Sequence, residues 1–498
     1  MKRIFSIVFG LGLVLALVMV PTLTALADYA TFDNPNYYYC QITNAPSGTF
    51  YRQAGLSPDG TKIVAQKSWN DGTARTEIVV MNADGTGEAV ISPGDSGTGD
   101  IYGYMNPFWS DDGTAIGFAE VHNANPNKIV RYDISSATRT YLYQPVAPLD
   151  ANNADFLGSS KTSVVFWDYG AGGSVADLFI WDGTTLTNIT NTATYKEYEP
   201  VSNADGTKIV FWSGETVAEP INTTHTLTYS GATWTKDVGF TPIADSYWAT
   251  WTTTAATQIA LTVMSSKDVL IYDSTGALVT DLSGPGYSGG LVSGVQQWNF
   301  FGTGPAQGPS GQFIITSNAG RGATPGRDIV SAAPRTVSIG TYTGGTAYFS
   351  PDDGSVVGLT AVPPPATPPV TLPYGMFNFT ICCMSGATVT LNVTLPGPVP
   401  VGTKWYKYNG GSWDPLPIGD DDGDNFITVT LTDDTLPYDE DIIPGQITDQ
   451  GGPGFPGAVG WETYPVSKVR VLLPWIALLA AFILAASLLM LRHRQTTT

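Results

Sequence analysis

Histidine and cysteine are almost missing: there are three of each among 498 residues. No C-x-x-C pair is present, so the spacing excludes a thiolate zinc or iron–sulfur centre. Cys382 and Cys383 are neighbours in sequence, and neighbours rarely pair with each other because the bond is strained. A link from Cys40 to either of them stays open, and the chain does not depend on a disulfide framework. His493 falls in the C-terminal tail, which leaves His122 and His225 as the candidates for proton chemistry. No G-x-S-x-G elbow occurs.

Charge is scarce, at 13% of residues, and one-sided. Six of the 23 basic residues lie in or beside two terminal apolar runs (Lys2, Arg3, Lys468, Arg470, Arg492, Arg494). The remaining 17 face all 43 acidic residues between Asp28 and Pro465, a net charge of −26. Such a surface repels nucleic-acid phosphates and anionic lipid, so no nucleic-acid partner is expected. Acidity of this kind also keeps an exported protein soluble, with no ligand implied.

Long apolar runs are confined to the ends. Lys2 and Arg3 precede Ile4 to Val20, and small residues ending Ala25-Leu26-Ala27 follow, the pattern of a cleaved secretory signal over residues 1–27. The second run, Val471 to Leu491, has 21 residues without a charge, enough for one transmembrane helix. Arg492, His493 and Arg494 follow it and place that end in the cytoplasm. The expected location is therefore the cell surface, outside the membrane, on a single-pass anchor with a cytoplasmic tail at 492–498.

Turn formers are plentiful: 55 Gly and 35 Pro, against 43% hydrophobic residues. This is the composition of an all-β protein with short strands, not of a disordered chain. One phrase recurs: "LSPDGTKIVAQ" at Leu56, "WSDDGTAIGFAE" at Trp109, "SNADGTKIVFWS" at Ser202 and "FSPDDGSVVGLTA" at Phe349. Weaker copies surround Ser160, Thr257 and Gly311. The steps between successive turns run from 43 to 54 residues, the period of a propeller blade with four strands. In the first of these turns Pro58 presets the first central φ, Asp59 can hydrogen-bond back to its own backbone, and Gly60 supplies positive φ. The following strand is apolar throughout, as in Ile63-Val64-Ala65, and so is buried on both faces. Seven hairpins predict a seven-bladed β-propeller over 28–362, with six blades the alternative. Tyr37 to Thr43 is a spare strand, expected to complete the blade begun at Tyr348.

"SPDGTKIV", "NADGTKIVFWS" and "MNADGTG" resemble the WD-like repeats of TolB-type propellers, from roughly Tyr37 to Ala361. The resemblance implies the fold and leaves the function open, since such propellers serve as binding platforms, lyases and peptidase accessory domains.

Pro363 to Pro369 reads as a stiff linker, assigned to 363–370. Strand patterns over Thr388 to Leu395, Lys404 to Tyr408 and Asn425 to Leu431 predict a small β-sandwich at 371–454. Tyr374-Gly375, Phe377, Phe379, "VTLNVTLPGPVPVGTKWYKY", "NFITVTLTD" and "GQITDQGGPG" resemble the choice-of-anchor U domain of prokaryotic surface proteins. That resemblance implies surface attachment; no LPxTG-like sorting motif is present, and a juxtamembrane linker at 455–470 leads to the span.

Two constellations are candidate sites. Asp420, Asp421, Asp422 and Asp424 in "GDDDGDN" supply the oxygen ligands calcium takes, though without the spacing of an EF-hand; calcium is the one cofactor the sequence admits. Trp69, Trp167, Trp212, Trp298 and the segment "YWATW" at Tyr247 to Trp251 are aromatics that either bind a sugar or peptide or fill gaps between blades. Asn188, Asn222, Asn378 and Asn392 stand in N-x-[ST] triplets. No catalytic residues are assigned. The expectation is a non-catalytic platform for a surface polymer, glycan or protein ligand; the rival is an envelope lyase or glycoside hydrolase at the propeller's central channel.

Overall fold

The computed structural model describes residues 34–455, apart from 35, 44, 47, 70–74, 95–96, 170–174, 193–194, 215–220, 253–256, 285–290, 293–294, 297–298, 301–310, 318–327, 366–367, 383–385 and 440–444. The expected signal peptide and C-terminal span lie outside the described residues. Among those described, no helix is long and apolar enough to cross a membrane, and the regular elements are all strands.

The recurring phrase folds as expected, for a reason its residues carry. In the first turn Asp59 Oδ1 accepts from the Thr61 amide (3.0 Å), the Thr61 hydroxyl (2.9 Å) and the Ser57 hydroxyl (2.6 Å). Asp112 and Asp205 repeat the arrangement with Thr114 and Thr207. Gly60, Gly113 and Gly206 take φ of 75°, 67° and 68°, where a side chain is strained. The second turn of a unit uses the same device: Asp84 with Thr86, Asp182 with Thr184, and Asp273 with Thr275.

Six hairpins become blades. Each of the first five is an antiparallel sheet built in chain order, beginning on the inner strands Thr49–Leu56, Ile101–Trp109, Asn152–Phe156, Lys196–Ser202 and Ser246–Trp251. The weak copies near Ser160, Thr257 and Gly311 are therefore true blades. The sixth holds Asn299–Phe300, Phe313–Ser317 and Asp328–Pro334, and Tyr37–Gln41 is its fourth strand. This corrects two expectations. The blade count is six, and the N-terminal strand closes the blade of the Gly311 hairpin, not one begun at Tyr348.

The apolar strands bury both faces at the seams. Six clusters fill the six seams in turn, for example Tyr104, Phe118 and Val64 between blades 1 and 2, and Phe211, Leu227 and Leu178 between blades 3 and 4. A fully buried ring such as Phe118 contributes about 2–3 kcal/mol. A blade alone would leave both faces wet, so the ring is the smallest unit that closes its core.

One clear copy of the phrase, at Gly354, is not a blade. Its two strands turn away from each other: Thr346–Pro351 pairs with Thr388–Thr394, while Ser355–Val362 pairs with Met376–Cys382. They join Val337–Gly340, Phe426–Thr432, Ser412–Gly419, Lys404–Asn409 and Gln446–Gly454 in one nine-stranded path. The path is a nearly closed, barrel-like sheet around Phe349, Phe377, Phe379, Trp405 and Leu391, instead of the separate small sandwich expected. Cys40 of the closing strand and Cys382 of this sheet form a disulfide, which settles the pairing left open by the sequence. Beside it Tyr38 donates to Asp353 (2.8 Å), and the Gly358 amide donates to Gln312 (3.2 Å).

Candidate functional site

The inner strands of the first five blades share one irregularity. Each has a bulge, between Arg52 and Gly55, Met105 and Phe108, Asn152 and Asp155, Tyr198 and Val201, and Tyr247 and Thr250. A bulge takes a residue out of the ladder and re-aims its side chain. The re-aimed residues are Gln53, Asn106, Asn153, Glu199 and Trp248, with φ between 39° and 55°. Asparagine tolerates this region; glutamine, glutamate and tryptophan are held there at a cost of about 1–2 kcal/mol each. Strain repeated at one register position of five strands marks a site rather than an accident.

Three of these side chains meet across the blades. Asn106 Nδ2 donates to Asn153 Oδ1, and Asn153 Nδ2 donates to Glu199 Oε1 (3.0 Å). Trp212 Nε1 donates to Glu199 Oε2 (2.8 Å), and the Asn106 amide donates to Gln66 Oε1 (3.4 Å). Bonds between successive inner strands place the row around the propeller axis. Burial pushes the Glu199 carboxyl up to about 7, against the opposing bonds from Trp212 and Asn153. When protonated, Glu199 must donate from one oxygen. Trp212 can only donate, so that oxygen faces Asn153, whose amide turns over to accept.

Aromatic rings continue from this row toward the surface. Trp212 packs on Tyr198 (4.5 Å between centroids), Tyr198 on Trp167 (4.9 Å) and Trp167 on Tyr169 (5.4 Å). Tyr169 is exposed, and the Trp167 Nε1 has no hydrogen-bond partner. Trp69 lies apart, under the Arg75 guanidinium (3.9 Å to the ring). In "YWATW", Tyr247 and Trp251 are buried, Trp251 donating to the Val201 carbonyl of blade 4 (3.1 Å), and only Trp248 joins the row. Trp298 lies outside the described residues.

The two histidines are structural. His122 is held between Asp100 (2.8 Å) and Glu120 (2.9 Å), with 6% of its side chain exposed. Glu120 also takes Lys128 (3.0 Å) and the Tyr141 hydroxyl. His225 is buried and stacks on Phe211 (5.6 Å). Among the described residues the five bulge positions carry no histidine and no basic group; Arg52, exposed beside Gln53, lies over the Phe50 ring (5.6 Å).

Asp420, Asp421, Asp422 and Asp424 occupy one exposed turn between Ser412–Gly419 and Phe426–Thr432. Their carboxylates serve nearby amides: Asp421 accepts from Gly402 (2.8 Å), Asp422 from Asp424 (3.0 Å) and Asp424 from Phe426 (2.7 Å). Among the described residues, the carboxylates that converge are Asp433, Asp434 and Asp439, with ligand oxygens within 4.8 Å of one another. Asp433 is pushed up by burial, opposed by the Gly445 and Gly386 amides. Of the N-x-[ST] asparagines, Asn222 is buried and Asn378 is exposed.

The row was missed in the sequence because no single copy shows it. Aligned on their turns, the units read Gln53-Ala54, Asn106-Pro107, Asn153-Ala154, Glu199-Pro200 and Trp248-Ala249, four residues ahead of Ser57, Ser110, Leu157, Asn203 and Thr252. A large polar or aromatic residue before Ala or Pro at one offset is the signal. Proline is admitted there because a bulge needs no ladder amide.

No protein-family model matches the chain, and no curated protein is similar to it. Among solved structures it is similar to TolB from Acinetobacter baumannii, at 13% identity over 60% of this chain and 80% of that one, with a TM-score of 0.35. It is also similar to a gluconolactonase from Xanthomonas campestris (12%, 62% and 93%, 0.39) and an oligogalacturonate lyase from Vibrio parahaemolyticus (9%, 61% and 95%, 0.34). At these scores the likeness carries no argument about activity, and the propeller rests on the strand pairing above.

Proposed function

We propose that this is an exported, membrane-anchored surface protein whose propeller binds a neutral glycan without transforming it. One observation carries the reading: the row Gln53, Asn106, Asn153, Glu199 and Trp248, with Trp212 and Trp167 beside it. Amides offer paired donors and acceptors to hydroxyl groups, and tryptophan faces cover the apolar side of a sugar ring. The net charge of −26 between Asp28 and Pro465 disfavours a polyanionic ligand. Glycoside chemistry asks for two carboxyl groups across the bond to be cut; the described bulge positions supply one, Glu199.

The test is binding of the purified chain to arrays of neutral glycans and peptidoglycan fragments, beside Trp212→Ala and Asn153→Ala. Calcium is varied, because Asp433, Asp434 and Asp439 lie close enough to share a cation. Capture of one glycan class, weakened at least tenfold by both substitutions, supports the reading. Release of shortened products supports the rival lyase or hydrolase. Capture unchanged by either substitution removes the row from the site.

A further inference from the structure

The barrel-like sheet buries a lysine and an aspartate that the glycan reading does not use. Lys407 and Asp449 have side chains 0% exposed, with Lys407 Nζ 3.6 Å from Asp449 Oδ2. They sit on paired strands, Lys404–Asn409 and Gln446–Gly454, where Lys407 lies opposite Gly451 and so diagonal to Asp449. Around them are Phe377, Phe379, Trp405 and Ile447, all fully buried.

Three features orient the pair. Lys407 Nζ donates to the Thr448 carbonyl (3.2 Å), which fixes the amine beside the carboxyl. Trp405 Nε1 donates to Asp449 Oδ1 (3.2 Å), while Asp449 Oδ2 faces the amine. Gly451 makes the room: a Cβ there would stand 2.3 Å from Trp405 Nε1 and 2.7 Å from Asp449 Oδ1. One carboxyl oxygen is thus polarised and the other is left to depart.

A charged pair in such a core is costly to hold, since desolvation of both ions opposes their attraction. We propose that Lys407 and Asp449 condense into an intramolecular amide bond. Proton transfer from Nζ to the carboxylate first gives the neutral amine and acid, the form that burial of Asp449 favours. The Nζ lone pair attacks Cγ, and negative charge gathers on Oδ1, where the Trp405 N–H meets it. The Cγ–Oδ2 bond then breaks. Oδ2 leaves as water with its own proton and one from Nζ, and the Nζ–Cγ amide remains. No oxidant, reductant or co-reactant enters.

The test is the mass of the full chain, denatured and reduced, followed by tryptic mapping. The expected mass is one water below that of the sequence. Trypsin fails to cut after Lys407, and chymotrypsin gives a branched peptide joining Lys407 to Asp449. Asp449→Ala and Lys407→Arg remain at full mass, and Asp449→Asn reaches the same cross-link by releasing ammonia. A wild-type chain at full mass and cut after Lys407 overturns the proposal, whatever the variants do. Loss of water with Lys407 still cut, as from cyclisation at an Asp-Gly turn, overturns it too.

Discussion

Replacing Glu199 with glutamine tests the row most directly. Its carboxyl moves from an ordinary 4.5 to about 7, because burial opposes the charged form more than the Trp212 and Asn153 bonds favour it. A displacement of that size corresponds to about 3 kcal/mol of preference for the protonated side chain. The folded value is the higher one, so the folded chain holds this proton more tightly than the unfolded chain. The stabilisation is complete below 4.5 and is lost as pH rises through about 7. A glutamine in its place would copy the protonated state, with an amide instead of the hydroxyl and the same contacts to Trp212 and a turned-over Asn153. Urea unfolding of the wild type and Glu199→Gln, from pH 5 to 8.5, should give similar stability at pH 5. By pH 8.5 the variant should be ahead by about 3 kcal/mol. Some slope persists in the variant, because burial also brings Glu197 to about 7. Parallel curves for the two proteins would refute the reasoning, for Glu199 would then titrate alike folded and unfolded.

Cys40→Ser removes a bond between residues 342 apart, for which chain entropy sets a ceiling of about 6 kcal/mol; denaturant unfolding should show a loss of about 2–5 kcal/mol, matched by reductant on the wild type and unaffected by reductant in the variant. Gly117→Ala would put a methyl 2.1 Å from the Phe108 ring, and thermal unfolding should register about 1–3 kcal/mol of overpacking. Asp59→Ala removes three bonds from an exposed turn and should cost about 1 kcal/mol by denaturant unfolding, with the blade retained. Removal of Tyr37–Gln41 leaves Asp328–Pro334 as a bare edge and should broaden the unfolding transition, read by calorimetry.

The sequence by itself determined whatever rests on local chemistry. Ser-x-Asp-Gly-Thr closes a hairpin because its aspartate binds the threonine two residues on, wherever the turn lies. Apolar strands after those turns announced blades, and Tyr37–Gln41 announced a strand in need of partners. Tertiary structure decided which turns belong to which sheet. The Gly354 turn repeats the Pro, Asp and Gly of the Gly60 turn and its glycine also takes positive φ, yet Asp353 accepts from Tyr38 of the closing strand and the flanking strands find better partners in Thr388–Thr394 and Met376–Cys382. Strand pairing is a competition over the whole chain, and local residues do not reveal its winner. The site followed the same division. Aromatics near strand ends were visible, and Trp212 bonds to Glu199 of the row, with Trp167 joined to it through Tyr198. The row of Gln53, Asn106, Asn153, Glu199 and Trp248 stayed hidden because a bulge reverses the alternation that sequence periodicity assumes. The pairing of Lys407 with Asp449 was hidden as well: 42 residues separate them in the chain, and only the fold brings the amine to the carboxyl.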